Sequence, residues 1–68
     1  MNGSMSKVVL DKGFGFILGA DGQSYFFHRS ALQDGAVLED VRDGQAMNFE
    51  AMHSLKGLRA ENVRMIRS

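Results

Sequence analysis

The 68-residue chain has no cysteine, no proline and no tryptophan. Without cysteine, no disulfide or thiolate-bound metal can staple so short a chain, and its stability must come from a modest core. No apolar run is long enough for a membrane span or a secretory signal, so a cytoplasmic location is expected. Net charge is lacking as well: eight Lys and Arg balance eight Asp and Glu. A neutral total argues against a uniformly basic nucleic-acid binder. The distribution is uneven, however. Residues 34–50 hold Asp34, Glu39, Asp40, Asp43 and Glu50 against Arg42, a balance of −4. The remainder holds Lys7, Lys12, Arg29, Lys56, Arg59, Arg64 and Arg67 against Asp11, Asp21 and Glu61, a balance of +4. A neutral chain of this kind can still present one positive face. The usual marks of catalysis are missing: no cysteine nucleophile, no serine in an elbow motif, no carboxylate pair that spacing reveals. His28 and His53 do not form a metal pair, and His53 reads as a surface residue. An enzyme, a cofactor, a metal and a small-molecule substrate are therefore not expected.

What the chain does contain is a set of flat rings in two short runs. These are Lys12-Gly13-Phe14-Gly15-Phe16-Ile17 and Tyr25-Phe26-Phe27-His28. Glycines punctuate the chain into five short segments of strand character, Ser4–Leu10, Phe14–Leu18, Ser24–His28, Ala46–Met52 and Leu58–Ile66. This pattern predicts one all-β domain over residues 1–68, a barrel or a sandwich. The connection 29–45, with Ala31, Leu32, Val37, Leu38 and Val41 among its acids, is expected to form a short helical turn plugging one barrel end.

Parity sets the faces, because alternate residues of a strand point the same way and directly opposed residues share a face. Pairing Phe16 with Phe26, Phe14 with His28 and Ile17 with Tyr25 puts four rings on one face. It also leaves Ala20-Asp21-Gly22 as a three-residue loop, closed by Gly22 in a left-handed conformation. Ile17 and Phe27 then belong to the interior, with Val8 or Val9, Met47, Phe49 and Val63 as neighbours. Tyr25 is expected at the barrel rim with its hydroxyl in water. Gly13 and Gly15 mark a tight bend or the close approach of another strand. An exposed row of rings calls for a partner that stacks, and single-stranded nucleic acid offers a flat base at every nucleotide.

These residues resemble the cold-shock domain family. Lys12-Gly13-Phe14-Gly15-Phe16-Ile17 is similar to its first ribonucleoprotein motif, and Tyr25-Phe26-Phe27-His28 to its second. Ser30-Ala31-Leu32, Asp43-Gly44-Gln45, Lys56-Gly57 and Ala60-Glu61-Asn62-Val63 extend the resemblance over nearly the whole chain. The resemblance implies a five-stranded antiparallel barrel of the oligonucleotide-binding (OB) type that binds single-stranded RNA or DNA. By position, Phe14, Phe16, Phe26 and His28 match the stacking residues, and Lys12 and Lys56 match basic residues that approach phosphates or base edges. The chain departs from the pattern in three places. The aromatic pair of the first strand falls on Lys7-Val8 or Val8-Val9, Arg29 replaces an aromatic after the histidine, and Leu58 replaces a proline. Two lost stacking platforms weaken binding by about 2–6 kcal/mol if the terms add. Arg29 offsets part of this, since a guanidinium both stacks and neutralises phosphate.

The candidate nucleic-acid-binding residues are thus Lys7, Lys12, Phe14, Phe16, Phe26, His28, Arg29 and Lys56. The expected function is binding of single-stranded RNA or DNA with little sequence discrimination, as an RNA chaperone or expression regulator acting as a monomer or weak dimer. The alternative is a protein-interaction module on the same barrel with weak or lost nucleic-acid affinity. Its basis is the missing aromatics, the neutral charge and the acidic 34–50 segment, and its docking surface is the apolar ring face or a first strand with Val8 and Val9 at an edge.

Overall fold

Alternating faces and glycine turns produce five strands in the computed structural model, which describes residues 1–66. They are β1 (Asn2–Val9), β2 (Phe14–Gly19), β3 (Ser24–His28), β4 (Ala46–Ser54) and β5 (Gly57–Met65). They close into a barrel in the order β1-β2-β3-β5-β4. Every seam is antiparallel except one: β3 meets β5 in parallel, through Phe26 and Arg59. The predicted all-β five-stranded barrel is present, with that seam as the departure. Closure leaves no open sheet edge along most of the barrel. β1 pairs with β4 only through Asn2–Ser4, and Lys7–Val9 pair with β2 alone among the described residues.

The predicted register of the β2–β3 hairpin is the observed one. Phe14 pairs with His28, Phe16 with Phe26 and Ile17 with Tyr25. The Gly19 N–H donates to the Gln23 carbonyl at 2.8 Å, which leaves Ala20-Asp21-Gly22 as the loop, and Gly22 takes φ 82°. The interior holds Met5, Ile17, Tyr25, Phe27, Met47, Phe49, Ala60 and Val63. Leu38 and Val41, from the connection between β3 and β4, complete it. The connection forms two 3₁₀ turns, Arg29–Ala31 and Leu38–Asp40, and the second begins with the buried Leu38.

Two bulges set which residues face inward. Between Met5 and Lys7 the β1–β2 register shifts by one, so Ser6 is an extra residue. Met5 is therefore the core residue of β1, while Val8 is only half-buried against the core and Val9 faces outward opposite Phe14. In β5, Ala60 and Val63 are both buried although three apart. The register with β4 slips between Asn48 and Glu50, and Asn62 takes a left-handed φ of 48°, absorbing the extra residue. Gly15 confirms the close-approach reading: a β-carbon there would stand 2.9 Å from the Lys7 carbonyl oxygen and 3.0 Å from Phe27 Cε1.

Tyr25 corrects the sequence reading. It is buried, its ring centroid 5.1 Å from that of Phe49, and its hydroxyl donates to Asp21 Oδ2 at 2.5 Å. Register explains this: Tyr25 shares the inward face with Ile17, and the loop carries Asp21 back over its phenol. The Gln23 backbone N–H donates to Asp21 Oδ1 at 3.1 Å. The Tyr25 hydroxyl, and next the Gln23 amide, hold the Asp21 carboxyl below its ordinary value, while Asp21 and then burial push the Tyr25 phenol up. A lowered carboxylate contributes stability above its unfolded pKa, lost as pH falls; a raised phenol contributes below its unfolded pKa, lost as pH rises. The stability gap between the parent and Asp21→Asn should thus be widest between about pH 5 and 9, and should narrow below about pH 4 and above about pH 10. Thermal melts across pH measure it; a gap constant from acid to alkali would show that this bond does not support the loop.

Candidate nucleic-acid interface

The outward face of the β2–β3 hairpin carries Phe14, Phe16 and Phe26 as a triangle. Ring centroids are 5.4 Å apart for Phe14–Phe26, 5.7 Å for Phe16–Phe26 and 5.9 Å for Phe14–Phe16. The rings are half-buried, each shielded by the others, while Ile17 and Phe27 on the opposite parity are fully enclosed. His28 stands beside Phe14 in the register and is exposed. Its Nδ1 accepts from the Ser30 backbone N–H at 3.2 Å and lies 3.0 Å from Ser30 Oγ. That bond uses the Nδ1 lone pair, so Nε2 carries the proton and can donate to an acceptor outside. The imidazole is thus oriented by the turn that follows it.

The candidate cations lie on four separate segments of the chain. Lys7 is exposed and directly opposite Phe16, and so holds the β1 position flanking the rings. Lys12 is exposed at the end of the 3₁₀ turn Leu10–Lys12, which leads through Gly13 into Phe14. Gly13 takes φ 72°, and a β-carbon on it would lie 3.0 Å from Arg29 Cδ. Its missing side chain is what lets Arg29 lie across the start of β2, with the Arg29 N–H donating to the Gly13 carbonyl at 2.9 Å. Lys56 is exposed in the turn joining β4 to β5.

One neighbour is absent from the sequence reading. Arg59 pairs with Phe26 across the parallel seam, and its Cζ lies 6.0 Å from the Phe26 ring centroid. Met52 pairs with Arg59 in turn and is exposed. A single row therefore crosses all five strands: Lys7, Phe16, Phe26, Arg59, Met52. The sequence signal for this was the parity of β5 relative to Ala60, but the bulge at Asn62 hides that parity. Among the described residues, no group of three His, Cys, Asp or Glu is placed to hold a metal, and no helix is long and apolar enough to cross a membrane.

The model of the 'Cold-shock' DNA-binding domain matches residues 1–66 of this chain. The chain belongs to the cold-shock domain family. Cold-shock domains are nucleic-acid-binding modules and not a known class of enzyme. This cold-shock domain is 41% identical over 63 residues to Cold shock protein 1 of Lactiplantibacillus plantarum, covering 91% of this chain and 92% of that protein. It is 44% identical over 57 residues to Cold shock-like protein CspA of Stigmatella aurantiaca, covering 81% of each. Among solved structures, drosophila Unr CSD456 is similar in fold, with a TM-score of 0.78 at 19% identity. That match covers 97% of this chain and 26% of the longer one. In this cold-shock domain, Lys7 and Val9 are the β1 residues that stand opposite Phe16 and Phe14.

Proposed function

We propose that this cold-shock domain binds single-stranded RNA or DNA by stacking bases on Phe14, Phe16, Phe26 and His28, with little preference among bases. Lys7, Lys12, Arg29 and Lys56 neutralise phosphates or meet base edges. The protein acts as an RNA chaperone or expression regulator in the cytoplasm, as a monomer or weak dimer. Holding strands open requires neither a cofactor nor chemistry on the bound strand. The observation that carries this reading is the ring triangle on the outside of a barrel already filled by other side chains. Three phenylalanines kept half-exposed side by side offer a platform on which flat bases stack.

The test is a titration with a short single-stranded pyrimidine oligonucleotide at two salt concentrations, followed by backbone amide shifts. Shifts should cluster on β2 and β3, with micromolar or weaker affinity and little response to duplex. The salt dependence should be shallow, since the site gathers few cations, and Lys12→Ala should flatten it further and weaken all sequences alike. A slope equivalent to about eight released counterions would contradict the proposed charge of the site. Shifts confined to the acidic plug, or none, would favour a protein-binding role.

A further inference from the structure

We propose that Arg59 forms a phosphate subsite on β5, so that the bound strand continues past Phe26 across the parallel seam. This rests on the single-strand reading above and extends the site to a strand that neither sequence motif contains. Arg59 lies in the row Lys7–Phe16–Phe26–Arg59, with a cation at each end and two rings between. With strands about 4.8 Å apart, the ends are separated by roughly 14 Å, room for the two bases seated on Phe16 and Phe26.

Three features make the guanidinium available to a phosphate. At 6.0 Å from the ring centroid it is at the limit of attraction to the Phe26 ring face, so little holds it there against an incoming strand. A base stacked on Phe26 moves the guanidinium off the ring face, since two contacts of about 3.5 Å do not fit within 6.0 Å. Arg59 therefore meets the backbone of the nucleotide on Phe26 and not its base. Its ion pair with Glu61 is 4.0 Å long, with side chains 48% and 44% exposed, so a phosphate oxygen displaces it at little cost. A guanidinium also offers paired N–H groups that fit two phosphate oxygens, whereas an ammonium does not.

The experiment compares hexathymidylate binding by the parent, Arg59→Gln, Arg59→Lys, Glu61→Gln, Phe26→Ala and Arg64→Gln over a salt series. Arg64 is an exposed β5 residue paired with Asp34 at 3.5 Å, so its variant makes the same change in net charge away from the row. Arg59→Gln should weaken binding roughly three- to tenfold at low salt and reduce the slope of log affinity against log salt by about 0.7. Arg59→Lys should keep the slope but lose affinity, Glu61→Gln should bind more tightly, and Arg64→Gln should stay within about twofold of the parent. If Arg59→Gln and Arg64→Gln behave alike, Arg59 contributes only net charge and the subsite does not exist. If Phe26→Ala loses binding while Arg59→Gln changes neither affinity nor slope, the ring site stands and the subsite falls. A parent chain that binds no strand would overturn both readings.

Discussion

Ile17→Ala should lower the stability of this domain by about 2–5 kcal/mol. Ile17 is fully enclosed, and its Cγ2 fills the space above Gly3: a β-carbon at Gly3 would lie only 2.9 Å from it. Removing the branched side chain leaves a cavity beside a residue with no side chain to move into it, so relaxation is limited. A domain of this size has roughly 3–10 kcal/mol in total. The midpoint of thermal unfolding should drop by roughly 10–30 °C, and at the upper end the chain is unfolded at ambient temperature. Calorimetry or circular dichroism melts measure this directly. A variant with an unchanged midpoint would mean that the faces of β2 are reversed.

The complementary expectation concerns binding. Phe26→Ala should weaken affinity for a single strand by about 1–3 kcal/mol, roughly fivefold to 150-fold, and Phe16→Ala by a similar or smaller amount. Phe26 should be the more sensitive, because it lies between Phe16 and Arg59 in the row and makes the shortest ring contact, 5.4 Å to Phe14. Its removal costs stability only through lost ring contacts, on the order of 1 kcal/mol. The two variants thus separate folding from function: one side of the strand sustains the barrel, the other the ligand. Folded Phe variants that bind as the parent does would remove the ring face from consideration and give the lead to the protein-interaction reading.

How much of this was legible before the structure depends on distance along the chain. The hairpin of β2 and β3 could be read in register because a three-residue loop joins its strands, and parity alone then fixes every pair from Phe14–His28 to Ile17–Tyr25. The residues implicated by the two ring motifs likewise sit on or beside that hairpin, whereas Lys56 lies in the turn between β4 and β5. Parity fails wherever a strand contains an extra residue. Ser6 shifts the register so that Met5, rather than Val9, fills the core, and Asn62 conceals the alternation that would have placed Arg59 among the rings. Tyr25 differs for another reason: its pairing with Ile17 puts it on the inward face, whereas its polar hydroxyl suggests the rim and water, and nothing local shows that Asp21 reaches back to it. The parallel seam, joining segments separated by the whole acidic plug, has no local sequence signature at all.

The tilt of the three rings has a consequence for which polymers can lie on them. Their planes are inclined to one another by 44°, 66° and 90°. Bases in a duplex are parallel and repeat every 3.4 Å or so along each strand. Flat plates in such a pile cannot each lie against a different ring of this triangle while remaining parallel to one another. A strand that settles here must fan its bases apart and exchange base-on-base contacts for base-on-ring contacts. Discrimination against paired nucleic acid is then a matter of angles built into the pleat, and it persists in high salt, where charge no longer distinguishes one polyanion from another.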